Sequence, residues 1–326
     1  MVEPGLVIVD KSAGMTSHDV VARLRRLAGT KRVGHAGTLD PMATGVLIIG
    51  LEKATRLLGY LTLTEKEYSA TIRLGAGTVT DDAEGEIVPA ADPAPARAAG
   101  LAEADLRAAL AGLTGEIMQV PPKISAIKVG GKRAYHLTRS GAAPELAARP
   151  VTVRRIDVRD IRTAGEMLDL DVDITCSSGT YIRAVARDLG TALRTGGHLT
   201  ALRRTRVGPY LVSQARTLDQ LADSFEYIPL AQAAAAEFPS VVLGAQESRL
   251  IAHGVRLPAG ALDGPSLGGA SLGGGASLGG VPGGGAPTGG RQPTVGPVAA
   301  FDPDGTLIAL LDTGGPEIRP VAVFVP

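Results

Sequence analysis

One short segment of the chain combines an acidic side chain with residues that fix a loop. Residues 34–45 contain three Gly and one Pro, and Asp40 lies directly before Pro41. A short Asp side chain on such a loop loses little freedom when it is held against a reacting group, so it can act as a nucleophile or a base. An Asp before Pro is also a common cap of a turn. The residue types alone leave both interpretations open.

Two further positions place a functional side chain on a regular element. Lys66–Leu74 alternates apolar and polar residues, which predicts a half-buried strand with Tyr68 on its inner side. Tyr68 is then either a core aromatic residue or a platform for a ligand. Helical spacing begins at Ile182, so Tyr181 and Arg183 fall in a first helical turn, where functional side chains are common. A cation gains nothing there from the helix dipole, which disfavours Arg183 as an ordinary surface residue.

Several cofactor-dependent chemistries lack their residues. Cys176 is the only cysteine, and no two of the five His are spaced i,i+3 or i,i+4, so a zinc site is not expected. Gly75-Ala-Gly77 lacks the third Gly of a dinucleotide fingerprint, and Gly130-Gly-Lys132 lacks the Ser or Thr that completes a phosphate loop. No Gly-x-Ser-x-Gly segment supports a serine hydrolase. We therefore expect neither a metal nor a nucleotide cofactor.

Apolar periodicity predicts the elements that position these residues. The predicted strands cover residues 6–9, 46–49, Lys66–Leu74 and Met167–Cys176. Between the first two strands, Thr16 or Ser17 can cap a helix that stops at Gly29. The chain has 326 residues and is 44% hydrophobic, which suffices for a large core. The class is α/β or α+β with a large mixed sheet and flanking helices.

Composition changes sharply near the C-terminal end. Residues 260–290 contain fourteen Gly and no charge after Asp263, so they are predicted to form a flexible, poorly ordered insertion. Short apolar runs lie on both sides of it, and a turn at residues 302–305 predicts a hairpin in a small β module. An Ala- and Pro-rich stretch, residues 89–100, is expected to be an exposed connection.

The charges balance overall but not locally. Lys plus Arg and Asp plus Glu each number 33, yet residues 121–160 hold nine basic and three acidic residues. Zero net charge can therefore coexist with a basic face that suits a polyanion. The sequence shows no secretory signal, no long apolar segment and no disulfide framework. We expect a cytoplasmic protein, without a membrane partner, that acts as a monomer.

The succession of motifs resembles the TruB-type bacterial tRNA pseudouridine synthases. The similarity covers the chain from about Gly5 to Tyr210, with Ser12 in place of the usual Pro and Ile124 in place of a frequent Tyr. The matching blocks are Gly5-Leu-Val-Ile-Val-Asp-Lys11, Gly14-Met-Thr-Ser-His18, the Asp40 loop, Lys66-Glu-Tyr68, Thr80-Asp-Asp-Ala-Glu-Gly85, Pro121-Pro122, Ser125-Ala-Ile-Lys128, Gly131-Lys-Arg-Ala-Tyr135, Gly179-Thr-Tyr-Ile-Arg183, Asp188-Leu-Gly190 and Leu202-Arg-Arg-Thr205.

This resemblance implies a fold and a reaction. The fold would be the pseudouridine-synthase mixed sheet in residues 1–230, followed in residues 231–326 by a small RNA-binding β-barrel of the PUA type that the Gly-rich insertion interrupts. The reaction would isomerise uridine 55 in the T loop of tRNA. Asp40 would be the catalytic carboxylate, adding to C6 of the base or C1′ of the ribose, or acting through a glycal; the sequence does not choose among these routes. Arg183 would be its charged partner.

The resemblance also implies how RNA is bound. Tyr68 would stack on the extruded uridine and handle a proton, Tyr181 and Leu202 would line the pocket, and His35 would enter the RNA loop in place of the flipped base. The basic residues expected at phosphates are Lys11, Lys128, Lys132, Arg133, Arg203 and Arg204. The alternative is a noncatalytic RNA-binding or tRNA-folding protein on the same scaffold. A nucleotide-dependent enzyme is disfavoured by the incomplete glycine motifs.

Overall fold

One large mixed sheet organises the first of two compact units, Met1–Tyr227 and Ile228–Pro326. The computed structural model describes residues 2–88, 98–123, 128–129, 132–133, 146–262 and 296–325. The division between the units falls close to the boundary predicted after residue 230. Each unit has its own hydrophobic core.

The strands of the first unit mix antiparallel and parallel pairing. Their bounds are β1 Gly5–Lys11, β2 Val33–Ala36, β3 Thr44–Leu51, β4 Lys66–Leu74, β5 Gly77–Thr78, β6 Ile87–Val88, β7 Gly115–Gln119, β8 Lys128–Val129, β9 Lys132–Arg133, β10 Arg149–Ala164, β11 Met167–Cys176, β12 Gly197–Val207 and β13 Tyr210–Leu211. The main sheet runs in the order β1-β3-β12-β4-β11-β10-β7, with β2 paired to β3 and β13 to β12. The β3–β12 pair is parallel, whereas its neighbours are antiparallel, so the predicted mixed sheet is confirmed.

Five helices flank this sheet within the described part of the first unit. They are α1 Ser17–Leu27, α2 Leu58–Leu61, α3 Glu103–Ala111, α4 Ile182–Ala192 and α5 Leu218–Asp223, with 3-10 turns at Glu52–Leu57 and Val212–Gln214. Thr16 is the cap of α1: its hydroxyl accepts from Asp19 N, and the Asp19 carboxylate accepts from Thr16 N. Ser17 is instead the first helical residue, so the alternative in which it caps the helix is wrong.

The two alternating segments form adjacent strands as predicted. β4 and β11 pair antiparallel, with Tyr68 opposite Ile174 and Ile72 opposite Leu170. The apolar members of both strands lie in the core. The polar members face the other side, where Ser69 Oγ donates to Asp173 over 2.6 Å. Period-two burial therefore fixes which face Tyr68 occupies.

The second unit contains the small β module that the sequence predicts. Its elements are β14 Ile228–Pro229, α6 Leu230–Glu237, β15 Ser240–Val242, α7 Ala245–Ala252, β16 Leu257–Pro258, a 3-10 turn Ala259–Leu262, β17 Val298–Phe301, β18 Leu307–Asp312 and β19 Glu317–Val323. A curled five-stranded sheet runs in the order β15-β17-β18-β19-β16. The predicted hairpin joins β17 to β18, and Gly305 N donates to Asp302 O in its turn.

Two predicted connections fall largely outside the described residues. Only residues 98–100 of the Ala- and Pro-rich stretch are described; Ala99 and Gly100 are exposed as predicted, whereas Ala98 is buried in the core. Only residues 260–262 of the predicted insertion are described; they belong to the 3-10 turn, and Leu262 packs into the core of the second unit. None of the helices within the described ranges is long and apolar enough to cross a membrane.

Candidate active site

Asp40 lies in the loop that joins β2 to β3. The turn is closed by backbone groups, since Ala43 N donates to Asp40 O over 3.1 Å. Ser17 fixes the preceding residue from α1, because its hydroxyl bonds both N and O of Leu39 at 2.9 and 3.1 Å. The Asp40 side chain is 35% exposed, which leaves its carboxylate accessible on a constrained backbone.

Arg183 connects this carboxylate to a second, buried one. Its Nε lies 2.9 Å from Asp40 Oδ2, and its Nη1 lies 3.5 Å from Asp82 Oδ2. Nη1 also donates to Thr80 O over 2.8 Å. The Arg183 side chain is only 5% exposed, so its charge depends on these partners rather than on water. The predicted pairing of Asp40 with Arg183 is present in the structure.

Asp82 is a site residue that the sequence analysis did not select. Its carboxylate accepts from the Thr80 hydroxyl at 2.5 Å and from Glu84 N at 3.1 Å, and the side chain is almost fully buried. It lies in the loop between β5 and β6, far along the chain from Arg183. The Thr80-Asp-Asp block was visible in the sequence, but nothing local to that block connects it with the Asp40 loop.

The Asp40 loop, β4, β12 and the segment that leads into α4 enclose a cleft of about 290 Å³. Its walls are formed by Gly37, Thr38, Leu39, Asp40, Thr62, Lys66, Tyr68, Ser178, Gly179, Thr180, Tyr181, Ile182, Arg183, Leu202 and Arg204. The structure therefore brings together six residues proposed from the sequence: Asp40, Tyr68, Tyr181, Arg183, Leu202 and Arg204. They come from a loop, a strand, a helix start and a second strand.

Tyr68 and Arg204 form one wall of the cleft from adjacent strands. They are directly opposite each other in the β4–β12 register, and both are buried. Burial raises the pKa of the Tyr68 hydroxyl, although the nearby Arg204 guanidinium opposes that shift. The Tyr68 hydroxyl is therefore protonated at neutral pH.

Three cations face the cleft and one of them was not anticipated. Lys66 is buried, lines the cleft, and donates from Nζ to Thr62 O at 2.9 Å and Thr64 O at 2.8 Å. Together with Arg183 and Arg204 it outnumbers the single lining carboxylate, Asp40. The interior is thus electropositive, which suits a polyanionic substrate.

Two of the residues predicted at phosphates are structural instead. Lys11 is fully buried, and its Nζ donates to Ser12 O at 3.0 Å, Met15 O at 2.6 Å and Pro41 O at 3.2 Å, so all three N–H donors are used within the protein. Burial lowers the pKa of Lys11 to about 8, with Asp40 opposing the shift. These bonds tie the end of β1 to the Asp40 loop.

Arg204 is also buried. It is 1% exposed and donates from Nε to Val46 O at 2.7 Å and from Nη2 to Gly37 O at 2.8 Å. A guanidinium in this position braces the backbone on both sides of the Asp40 loop and does not reach solvent. The prediction that Lys11 contacts phosphate directly is therefore wrong, because loop packing buries its side chain, whereas Arg204 is turned by the alternation of β12 toward the cleft wall.

Arg203 and His35, the other predicted RNA contacts whose side chains are described, do not line the cleft. Arg203 faces the opposite side of the sheet and pairs with Asp10, at 2.7 Å between Nη2 and Oδ2, while its side chain stays 42% exposed. His35 is a half-buried residue of β2, and its ring meets His18 edge-on at 5.5 Å between centroids. The side chains of Lys128, Lys132 and Arg133 lie outside the described residues.

A metal site is not formed by the residues that the structure describes. Within those ranges, no three His, Cys, Asp or Glu side chains are grouped closely enough to hold a metal ion. Cys176 is buried, and burial raises the pKa of its thiol to about 11. Its thiol is therefore protonated at neutral pH.

Solved structures with the same architecture define the class of protein. A chain of an H/ACA RNP bound to a substrate RNA containing 2′-deoxyuridine is 25% identical with a TM-score of 0.66, covering 99% of this chain and 85% of that chain. A chain of a Cbf5–Nop10–Gar1 complex is 26% identical with a TM-score of 0.65, covering 99% and 84%. The fold is that of the pseudouridine synthases.

Sequence comparisons then define the family. The TruB family pseudouridylate synthase N-terminal domain matches residues 25–182, the tRNA pseudouridylate synthase B C-terminal domain matches residues 183–236, and the tRNA pseudouridine synthase II C-terminal domain matches residues 289–325. The tRNA pseudouridine synthase B of Arthrobacter sp. (strain FB24) is 56% identical over 99% of this chain and 97% of its own length. That of Thermobifida fusca (strain YX) is 53% identical over 98% of each. This chain belongs to the TruB family of pseudouridylate synthases.

Proposed function

We propose that this protein converts uridine 55 in the T loop of tRNA to pseudouridine, with Asp40 as the catalytic carboxylate. The observation that carries the proposal is the pairing of an accessible Asp40 with the buried Arg183 inside a cleft of about 290 Å³. A cleft of that size is close to the lower limit, about 300 Å³, of small-molecule sites, so it suits one extruded nucleotide rather than a duplex.

The isomerisation balances without a cofactor. The bond between C1′ and N1 breaks, the base turns, and a bond forms between C1′ and C5. The proton on C5 is lost and N1 gains one, with no net oxidation and no net hydrolysis. A carboxylate can start this sequence by adding to C6 or C1′, or by taking the C2′ proton. Arg183 holds the Asp40 carboxylate at the cleft and compensates its charge before a covalent bond forms and after that bond breaks.

Tyr68 and Leu202 would hold the flipped base. Both line the cleft from adjacent strands, so an aromatic face and an apolar side chain are available to replace the stacking lost in the RNA loop. Because the pKa of Tyr68 is raised, its hydroxyl is a hydrogen-bond donor at the start of the reaction. Tyr181 would close the cleft from the start of α4.

The wider RNA interface is proposed to include both units. The unit before residue 230 would carry catalysis, and residues 231–326 would form a PUA-like module that holds the RNA. Phosphate contacts would come from Arg203, once it leaves Asp10, and from Lys128, Lys132 and Arg133, while His35 would enter the RNA loop. The protein would act in the cytoplasm as a monomer on the T stem-loop.

A substitution at Asp40 tests the proposal. Purified protein is mixed with an unmodified T-arm transcript in EDTA, after the RNA has folded, and the products are digested to nucleosides. The wild-type chain should form pseudouridine, whereas Asp40→Asn should reduce its formation to background, because an amide is a very poor nucleophile and base. RNA affinity should change little, since stacking and phosphate contacts are retained.

Asp219→Asn is the matched control. Asp219 lies on α5, its side chain is 86% exposed, and it pairs with Arg23 of α1. The same chemical change at Asp219 should therefore leave turnover unaltered. Turnover by a folded Asp40→Asn variant would remove Asp40 from catalysis. RNA binding without any wild-type turnover would instead support the noncatalytic alternative.

A further inference from the structure

The side chain of Gln119 is fastened to the backbone at the start of α4. Gln119 is the last residue of β7 and is 2% exposed. Its Nε2 donates to Tyr181 O over 3.1 Å, and its Oε1 accepts from Tyr181 N over 2.8 Å. The amide thus engages both backbone polar groups of one residue, in the way that a neighbouring strand would.

Tyr181 is the residue from which α4 begins. It has an extended backbone, with φ −100° and ψ 111°, and no side-chain cap. Its carbonyl also accepts the first helical hydrogen bond, from Val185 N at 3.2 Å. Fixing Tyr181 N and O therefore sets where the helix starts and how its first turn is rotated. Arg183 lies in that first turn.

A second contact fastens the same strand end one turn further along the helix. Arg187 Nη2 donates to Val120 O over 2.7 Å, and its Nη1 lies 3.3 Å from Asp81 Oδ2. Arg183 and Arg187 are four residues apart and so share a helix face. Residues 119 and 120 thereby hold two successive turns of α4 against β7, while both arginines also reach the loop that carries Asp82.

We propose that Gln119 is a positioning residue for catalysis, which acts by fixing Tyr181 and through it the Arg183 guanidinium against Asp40. The inference rests on the proposed roles of Asp40 and Arg183. Gln119 is buried and does not line the cleft, so its proposed effect is exerted through Tyr181. Its effect falls on the rate of the chemical step, because a misplacement of about 1 Å in a catalytic group can cost on the order of a hundredfold.

The first test is Gln119→Met, which keeps the size and burial of the side chain but removes both hydrogen bonds. We expect kcat to fall by roughly tenfold to a hundredfold while KM changes by less than about twofold. Gln220→Met is the matched control. Gln220 supplies a similar amide to the capping box of α5, away from the cleft, so its loss should lower the melting temperature slightly and leave kcat unchanged.

The second test uses Gln119→Glu and the pH. A neutral carboxyl can accept from Tyr181 N and donate to Tyr181 O, whereas an ionised one can only accept and repels that carbonyl. Burial raises the pKa of the new carboxyl above its ordinary value of about 4.3. The ratio of kcat between this variant and wild type should therefore fall by at least about tenfold from pH 5.5 to pH 8.5. A purely space-filling role predicts a constant ratio.

The third test asks whether Gln119 acts through Arg183. In an Arg183→Lys background, Gln119→Met should lower kcat less than threefold, because the guanidinium contacts that Gln119 is proposed to position have already been removed. Additive losses, a constant pH ratio, or an unchanged kcat in Gln119→Met would each overturn the inference. Absence of turnover in the wild-type chain would instead count against the proposed function.

Discussion

A single guanidinium between two carboxylates dominates the chemistry of the cleft at the scale of residues. Arg183 is buried with Asp82, while Asp40 remains accessible to a substrate. If Asp40 forms a covalent bond it loses its negative charge. Asp82 then still balances the Arg183 guanidinium, which would otherwise be left as an unpaired charge in a buried site. The second carboxylate therefore makes the charge change at Asp40 tolerable.

This arrangement predicts the effect of Asp82→Asn. The amide can still accept the hydrogen bonds from the Thr80 hydroxyl and Glu84 N, but it no longer balances Arg183. We expect the single-turnover rate to fall by about tenfold or more, with nearly unchanged RNA affinity. Asp173→Asn provides the control, because Asp173 pairs with Ser69 and Arg159 on the outer face of the sheet. Equal rates for wild type and Asp82→Asn would contradict this interpretation.

Lys11 predicts a pH dependence of turnover. Its pKa of about 8 means that raising the pH through 8 removes its charge and one of the three N–H donors that tie the end of β1 to Ser12, to Met15 and to Pro41 of the Asp40 loop. Turnover should fall as the pH rises through about 8, and Lys11→Met should be slow at every pH and lack this transition. A rate profile from pH 6 to 9.5 measures it. An identical alkaline transition in Lys11→Met would exclude Lys11 as its cause.

The pH dependence of stability distinguishes this effect on turnover from unfolding of the protein. Between pH 8 and 10.5 the unfolded chain keeps the Lys11 proton that the folded chain has lost. The contribution of this group to the free energy of unfolding therefore rises with pH across that window. A loss of turnover there, without a lower melting temperature, would be the signature of the braced loop.

At the scale of elements, the position of Arg183 depends on how closely α4 approaches β12. A Cβ at Gly190 would lie 2.2 Å from both Gly196 C and Gly197 N, so only a hydrogen at this position lets the helix touch the strand. The paired strands β3 and β12 also approach too closely for a side chain at Gly45, where φ is +95° and a Cβ would lie 2.2 Å from Arg204 O. The first approach packs α4, which begins at the cleft, against β12, and the second packs β3 against Arg204, which lines the cleft.

Gly190→Ala should therefore destabilise the first unit. The added methyl meets backbone, which cannot rotate away, so the cost should reach at least about 2 kcal/mol, the middle of the usual range for overpacked cores. Thermal unfolding and turnover should both be impaired, because α4 carries Arg183. Gly59→Ala is the control: it lies in α2 with nothing within 4 Å of a new Cβ, and should be neutral or stabilising. Similar melting temperatures for the two variants would argue against this packing.

At the scale of the whole molecule, the chain consists of two units with separate cores, and the Gly-rich segment belongs to the second. The described start of that segment is not free of structure, since Leu262 packs against the core formed with Ile251 and Leu257. The boundary of the dispensable sequence must therefore follow Leu262. The predicted insertion, residues 260–290, therefore has to be redefined so that it starts after residue 262.

Replacing residues 264–290 with a short Gly-Ser linker should leave the melting temperature and turnover nearly unchanged. The sequence removed has no charged or aromatic residue with which to grip RNA, and each doubling of loop length costs only about 0.6 kcal/mol. A variant that also removes residues 260–262 should melt earlier, because Leu262 is lost from the core. A large loss of turnover in the shorter deletion would show that the segment binds or packs.

The sequence by itself determined much of the fold and the identities of the central site residues. Period-two alternation in Lys66–Leu74 and Met167–Cys176 located two paired strands, because one buried face leaves a single workable register. The order of motifs selected Asp40, Tyr68 and Arg183, which lie together at the cleft. These features are local or repeat along the chain, so they can be recognised from the sequence without the structure.

Only the tertiary structure decided which charges serve the site and which serve the scaffold. Lys11 and Arg204 have the same residue types as phosphate-binding groups, yet both are buried against backbone carbonyls. Asp82 and Gln119 carry no local signal of function, because their partners, Arg183 and Tyr181, are more than sixty residues away. The environment of a charge or an amide depends on what folding brings beside it, and burial, hydrogen bonding and ion pairing across such separations exist only in three dimensions.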